Sequence, residues 1–215
     1  TIMQGGLIEE TYAAFRGWDF AVSQAENFTR VLRNNLVGAK SESWLVDIYK
    51  ALHRRFDPDG RDRSLVYLAQ RGCPLGQWKP LLLWHITRDE FLLRDFLVNW
   101  LFDHFTNGTL RVYARDLWPY LRDLYPKQLV AEPWKESTVQ RVSSALLRIT
   151  ADFGLMRGTV TREFVSYHLP DESFLYLLHA MIERQPNARE VVHSADWRMF
   201  LMDATDVERE LFRLH

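Results

Sequence analysis

The chain has 215 residues, 47% of them apolar and 26% charged, and a formal net charge of -1. That length can bury a core as one domain or two small ones, and eight Trp with thirteen Phe exclude disorder over most of it. A single cysteine, Cys73, excludes an internal disulfide and fits a reducing cytoplasm, where it reads as a small buried hydrophobe.

The opening "TIMQGGLIEETYAAF" lacks the basic patch and apolar core of a secretory leader. The longest uncharged run, residues 173 to 182, falls far short of the ~20 apolar residues that span a bilayer. The expectation is a cytoplasmic protein without a membrane span. Charge is segregated along the chain: residues 27 to 79 carry ten Arg or Lys against five acids, and residues 135 to 168 carry five against three. Residues 169 to 215 hold nine acids against five Arg. Local field rather than the sum decides polyanion binding, and arginine, which supplies all but five of the 27 basic residues, is the better bidentate phosphate ligand. The competing reading is hydrated helix faces.

Helix-period spacing dominates up to about residue 106. Phe28, Val31, Leu32 and Leu36 form one stripe; Leu45, Ile48, Tyr49, Leu52 and Phe56 form another, opened by Ser41 or Ser43. "DPDGRDR" from Asp57 is a turn that joins Arg54, Arg55, Arg61 and Arg63 into a basic knot, either a phosphate contact or a hydrated loop. Thr87 with Glu90 reads as a capping box for a mostly apolar helix that stops at Asn107 and Gly108 and belongs at the centre of a bundle.

After Gly108 a brief extended entry leads to a helix that Pro119 kinks or breaks near Trp118. "PKQLVAEPW" then connects to a second capping box, Ser137 with Gln140. The helix it opens has a narrow apolar stripe of Val139, Val142, Leu146, Ile149 and Phe153, and ends at Gly154. Leu155 to Arg157 and Glu163 to Leu169 read as two strands of a hairpin. Three helices follow, "DESFLYLLHAMIERQ", "AREVVHSADWRMFLM" and "ATDVERELFRLH", too acidic for nucleic-acid contact.

Helix, connection, helix and hairpin is the order of a winged helix-turn-helix. In that frame Thr138, Gln140, Arg141, Ser144 and Arg148 lie on the outward side of the helix offered to a duplex, with Lys135 and Ser137 holding phosphate at its start. Arg157, Thr159 and Arg162 form the hairpin contact, and Arg54, Arg55, Arg61 and Arg63 extend the track. Few of these groups suit base edges, so phosphate contact with little sequence preference and steep salt dependence is expected. The alternative is a helix packed on both sides, its arginines paired with Glu132, Glu136 or Asp152.

Enzyme signatures are lacking. There is no Walker loop or dinucleotide turn, the seven histidines show no i, i+4 pair, and one cysteine makes no zinc cluster. The expectation is a non-enzyme with no cofactor, metal or small-molecule substrate.

The order of "GGLIEET", "STVQRVSSALLRITADFGLMRG", "SFLYLLHAMIER" and "WRMFLMDATDVERELFRL" resembles the BrxA family of bacterial BREX (bacteriophage exclusion) systems over essentially the full length. The resemblance implies a mainly α, cytoplasmic protein whose helical portion is NusB-like. It further implies non-enzymatic binding to double-stranded DNA beside other BREX proteins in phage defence. With the residue pattern, the expected layout is an N-terminal helical bundle over residues 1 to 107 and a winged-helix lobe with a short β-hairpin over residues 108 to 215. RNA binding of the NusB-like kind, or an adaptor docking proteins through Trp118 or Trp134, are the alternative functions.

Overall fold

A computed structural model describes residues 2–215. The fold is mainly helical. A short 3-10 turn, Ile2–Gln4, precedes α1 (Ile8–Arg16), α2 (Gln24–Asn34), α3 (Glu42–Arg55), α4 (Arg63–Gln70) and α5 (Leu75–Thr87). The next helical stretch runs from α6 (Phe91–Asp95) through a π-helical segment (Phe96–Leu101) into α7 (Phe102–Thr106). Then come β1 (Arg111–Tyr113), a 3-10 turn (Ala114–Leu117), α8 (Trp118–Asp123), α9 (Glu136–Asp152), β2 (Met156–Arg157) and β3 (Thr161–Phe164). The chain closes with α10 (Asp171–Arg184), α11 (Ala188–Val192), a 3-10 segment (Ala195–Phe200) and α12 (Ala204–Leu214). Among the described residues no helix is long and apolar enough to cross a membrane.

The apolar stripes become buried faces. Phe28 and Val31 of α2 and Leu45, Ile48 and Leu52 of α3 face inward, and Ser41 caps α3 by accepting from the Trp44 amide at 3.3 Å. Phe15 packs edge-on against Trp78 and Phe56, with ring centroids 6.2 and 5.3 Å apart, an arrangement that adds to simple area burial. The stretch from Phe91 is central as expected, since Leu93, Phe96, Leu97, Val98 and Leu101 are almost wholly buried. Helices on both sides of residue 107 share one continuous hydrophobic core: α10 packs on α5, and α9 packs on the N-terminal 3-10 turn.

Two capping boxes expected from the sequence do not form. Thr87 is the last residue of α5, and its hydroxyl donates to the Trp84 carbonyl at 2.9 Å, so it is spent inside its own helix. Ser137 is already helical; the cap of α9 is Lys135, in an extended conformation, and no side chain accepts from the first turn. The segment "AREVVHSADWRMFLM" is likewise not one helix, because Ser194 caps a separate 3-10 segment by accepting from the Asp196 amide at 3.2 Å. Pro119 does mark a break: it sits in the first turn of α8, where its missing N–H costs nothing.

The sheet holds one strand more than the hairpin alone. β1 pairs antiparallel with β3 (Arg111 opposite Glu163, Val112 opposite Arg162, Tyr113 opposite Thr161), and β2 pairs with the other edge of β3, giving the order β1-β3-β2. β3 ends at Phe164 rather than Leu169. The β2–β3 turn depends on Gly158, whose φ is +97° and where a Cβ would lie 2.1 Å from the Thr161 carbonyl oxygen.

A chain of polar groups runs through the core between α4, α5 and α10. Asp62, fully buried, accepts from the Asp57 amide at 2.7 Å and sits 2.6 Å from His85 Nδ1. His85 Nε2 is 2.9 Å from the Tyr176 hydroxyl, which in turn bonds Ser64 Oγ. Burial holds the His85 imidazole neutral, against the pull of Asp62, while His85 and the Asp57 amide keep the Asp62 carboxyl ionised despite its burial. Nδ1–H therefore donates to Asp62, Nε2 accepts from Tyr176, and Tyr176 accepts from Ser64.

Candidate nucleic-acid interface

Helix α9 carries the centre of the site. Val139, Leu146, Ile149 and Phe153 are buried, so the helical period turns Ser137, Gln140, Arg141, Ser144 and Arg148 outward, and all five are exposed. Thr138 is half-buried at the edge of that face. Ser143 is buried and donates to the Gln140 carbonyl at 3.0 Å; the exposed Ser144 donates to the same carbonyl at 2.9 Å. Lys135 and Arg141 have no ion-pair partner among the described residues, and Glu136 is taken by Arg122 at 2.8 Å. The alternative pairing of the α9 arginines with Glu132, Glu136 or Asp152 does not form within ion-pair distance among the described residues.

Arg148 lies at the far end of this face and is differently engaged. Its guanidinium donates to the Met3 carbonyl at 2.8 Å, beside Gly5. Asp152, one turn on, accepts from the Gly6 amide at 3.0 Å. Gly5 has φ +77°, and a Cβ there would lie 2.7 Å from Arg148 Nη2. The "GG" of the opening motif thus lets the backbone lie directly against α9.

At the hairpin, Arg157 and Thr159 are exposed. Arg157 pairs with Glu163 at 3.3 Å. Arg162 points the other way: only 9% exposed, it donates to the Gly158 carbonyl and braces the turn from within. It is a structural residue and not a contact of the hairpin's outer surface.

The basic knot of residues 54 to 63 comes apart. Arg55 is 2% exposed, donates to the Gly5 carbonyl at 3.0 Å, and has its pKa pushed down to about 10 by burial. Burial on the inward side of α3, with the Glu90 carboxylate 4.0 Å from its Nε, withdraws it from any surface track. Arg61 is held by both oxygens of Asp89 and lies 3.4 Å from Asp62. Arg63 stacks over Phe20, 4.4 Å from the ring centroid, and donates to the Tyr67 hydroxyl. Arg54 is exposed and has no ion-pair partner among the described residues. Four neighbours in sequence therefore face four different environments: the helical turn of α3 exposes Arg54 and buries Arg55, and the turn from Asp57 to Asp62 separates both from Arg61 and Arg63.

The tryptophans named as docking aromatics are half-buried against the core, and Arg122 covers Trp118 at 5.8 Å from its ring centroid. Sequence reading passed over Arg111, which β1 places beside the hairpin; the signal available was the alternation of "LRVY" before a turn. No group of three or more His, Cys, Asp or Glu residues placed to hold a metal ion occurs among the described residues.

A search of curated proteins returns no match. The family model BrxA matches residues 2–180, a span that takes in the N-terminal turn, all of α9, the three strands and most of α10. On that coverage the chain belongs to the BrxA family, and is a BREX-associated protein.

Proposed function

We propose that this protein is a non-enzymatic, double-stranded-DNA-binding accessory of a BREX phage-defence system, acting beside other BREX proteins and needing no cofactor. The observation that carries the reading is the exposed face of α9, where Ser137, Gln140, Arg141 and Ser144 line up behind Lys135 with no carboxylate paired to either cation among the described residues. The order around it supports this: α7, β1, α8, α9, β2, β3, with strand order β1-β3-β2, is read as a winged helix-turn-helix whose α9 meets the duplex. The helices that precede it are read as a NusB-like bundle. The dipole of α9 favours phosphate at its N-terminal end.

Gel-shift titration with random-sequence duplex at two salt concentrations tests the reading. Binding that weakens steeply with salt and varies little with sequence is expected. Preference for single-stranded RNA at equal salt overturns the choice of duplex, and the absence of any salt-dependent affinity leaves the adaptor reading.

A further inference from the structure

On the outer face of the sheet one residue from each strand falls into a single row. The register sets Glu163 of β3 opposite Arg111 of β1 and opposite Arg157 of β2. Glu163 reaches both guanidinium groups, at 3.0 and 3.3 Å. Their hydrogen bonds, Arg111 first, hold its carboxyl below the usual carboxylate range. The outer members are open, with side chains 65% and 74% exposed, while Glu163 between them is 34% exposed. One carboxylate cannot neutralise two arginines, so the row keeps a net positive charge.

We infer that Arg111 and Arg157 form a two-pronged phosphate clamp in which Glu163 is the resident carboxylate that a DNA phosphate oxygen displaces; the inference rests on the duplex-binding reading above. Strand spacing sets the two arginine stems about 10 Å apart, twice the distance between neighbouring strands. Exposed ion pairs are weak, so exchanging a carboxylate oxygen for a phosphate oxygen costs little, and a guanidinium accommodates either bidentately. The platform is already rigid. Val112 is buried behind Arg111, and Arg162 ties the turn through the Gly158 carbonyl. Glu163 keeps the two prongs ordered when no DNA is bound and lowers the affinity when it is, a weakening suited to a protein that reads backbone rather than sequence. The proposal adds Arg111 to the interface and makes Glu163 a positioning residue.

Duplex affinity of the full chain, measured by fluorescence anisotropy at two salt concentrations, tests the clamp. Arg111→Ala is expected to weaken binding about three- to tenfold and to lower the salt slope by about 0.9, one phosphate contact. Glu163→Gln is expected to tighten binding by about three- to tenfold, the worth of freeing exposed pairs. That gain should vanish when Arg111 and Arg157 are both alanine. A gain that persists there is a general charge effect and overturns the clamp. If Arg111→Ala leaves affinity unchanged while Arg141→Ala lowers it, the clamp is wrong and duplex binding through α9 stands. If the wild-type chain shows no salt-dependent affinity, both fall. Thermal melts accompany each variant; should Arg111→Ala melt early, Arg111→Gln, similar in length and uncharged, is expected to show the same loss, and wild-type affinity in it overturns the clamp.

Discussion

Replacing Asp62 with alanine removes the one carboxylate in the buried polar chain between α4, α5 and α10. Three bonds go with it, from the Asp57 amide at 2.7 Å, from His85 Nδ1 at 2.6 Å and, more weakly, from Arg61 Nε at 3.4 Å. Hydrogen bonds to a charged group contribute about 1.5 to 3 kcal/mol each. The His85 N–H is then left buried without an acceptor, and Arg88, 3.8 Å from the carboxylate, loses its counter-charge. Together these effects amount to about 3 to 5 kcal/mol, the usual cost of removing one side of a buried pair. For a chain of this size that lowers Tm by about 6 to 20 °C. Urea unfolding followed by tryptophan fluorescence gives the free energy directly. A pH series supplies the sign. His85 is held neutral by burial, with its pKa below the unfolded value of about 6.5, so its contribution is whole above that pH and is lost as pH falls below it. Asp62, whose pKa is lowered, adds a further loss below about pH 3.9. In Asp62→Ala the partner that raises the His85 pKa is gone, so the loss that begins near pH 6.5 runs on to lower pH than in the wild type. A cost below about 1 kcal/mol at neutral pH, the value of an exposed pair, would refute the account of a buried, mutually dependent chain.

Gly158→Ala should open the β2–β3 turn, because its Cβ would meet the Thr161 oxygen at 2.1 Å; about 1 to 3 kcal/mol of stability and a parallel loss of duplex affinity are expected, read by melts and anisotropy. Gly5→Ala places a Cβ 2.7 Å from the Arg148 guanidinium at φ +77° and should cost about 1 to 3 kcal/mol in urea unfolding. Replacing Lys135 and Arg141 together with alanine should lower the salt slope of duplex binding by about two, with wild-type unfolding curves; an unchanged slope removes α9 from the interface. Arg55→Ala should destabilise the fold while leaving the salt slope alone, the signature of an arginine that serves the core.

Periodicity made the helices legible. The stripe from Val139 to Phe153 lies on the buried side of α9, but that side is broader than the stripe: Ser143, Ala145, Leu147 and Thr150 are buried beside it, and Thr138 is half-buried. Ser41 before an apolar run and Asn107-Gly108 after one marked real boundaries, since local backbone chemistry sets both. What was not legible depended on partners distant in sequence. The pairing of Arg111 with Glu163 spans 52 residues, so β1 looked like a mere extended entry. Arg54, Arg55, Arg61 and Arg63 looked like one patch because adjacency in sequence says nothing about which way a side chain turns once Gly5 or Asp89 competes for it. Arg162 sat next to acceptable site residues by the period of a strand, yet the pleat points it inward. Ser137 and Thr87 have the right chemistry for caps, and neighbouring turns of helix took those positions instead.

The contact of Gly6 with Asp152 joins positions 146 residues apart, and Arg148 reaches Met3 over 145. Synthesis on a ribosome runs in one direction, so the opening residues, which Arg55 of α3 can already hold through the Gly5 carbonyl, lack their α9 partners until the end of α9 has left the exit tunnel. Helices α1 to α5 can gather before then through their nearer contacts, but the tether that seats α9 closes late. Maturation of the candidate DNA-facing surface is thereby timed to the appearance of its last turn, and a nascent chain arrested before residue 148 would carry that surface unseated.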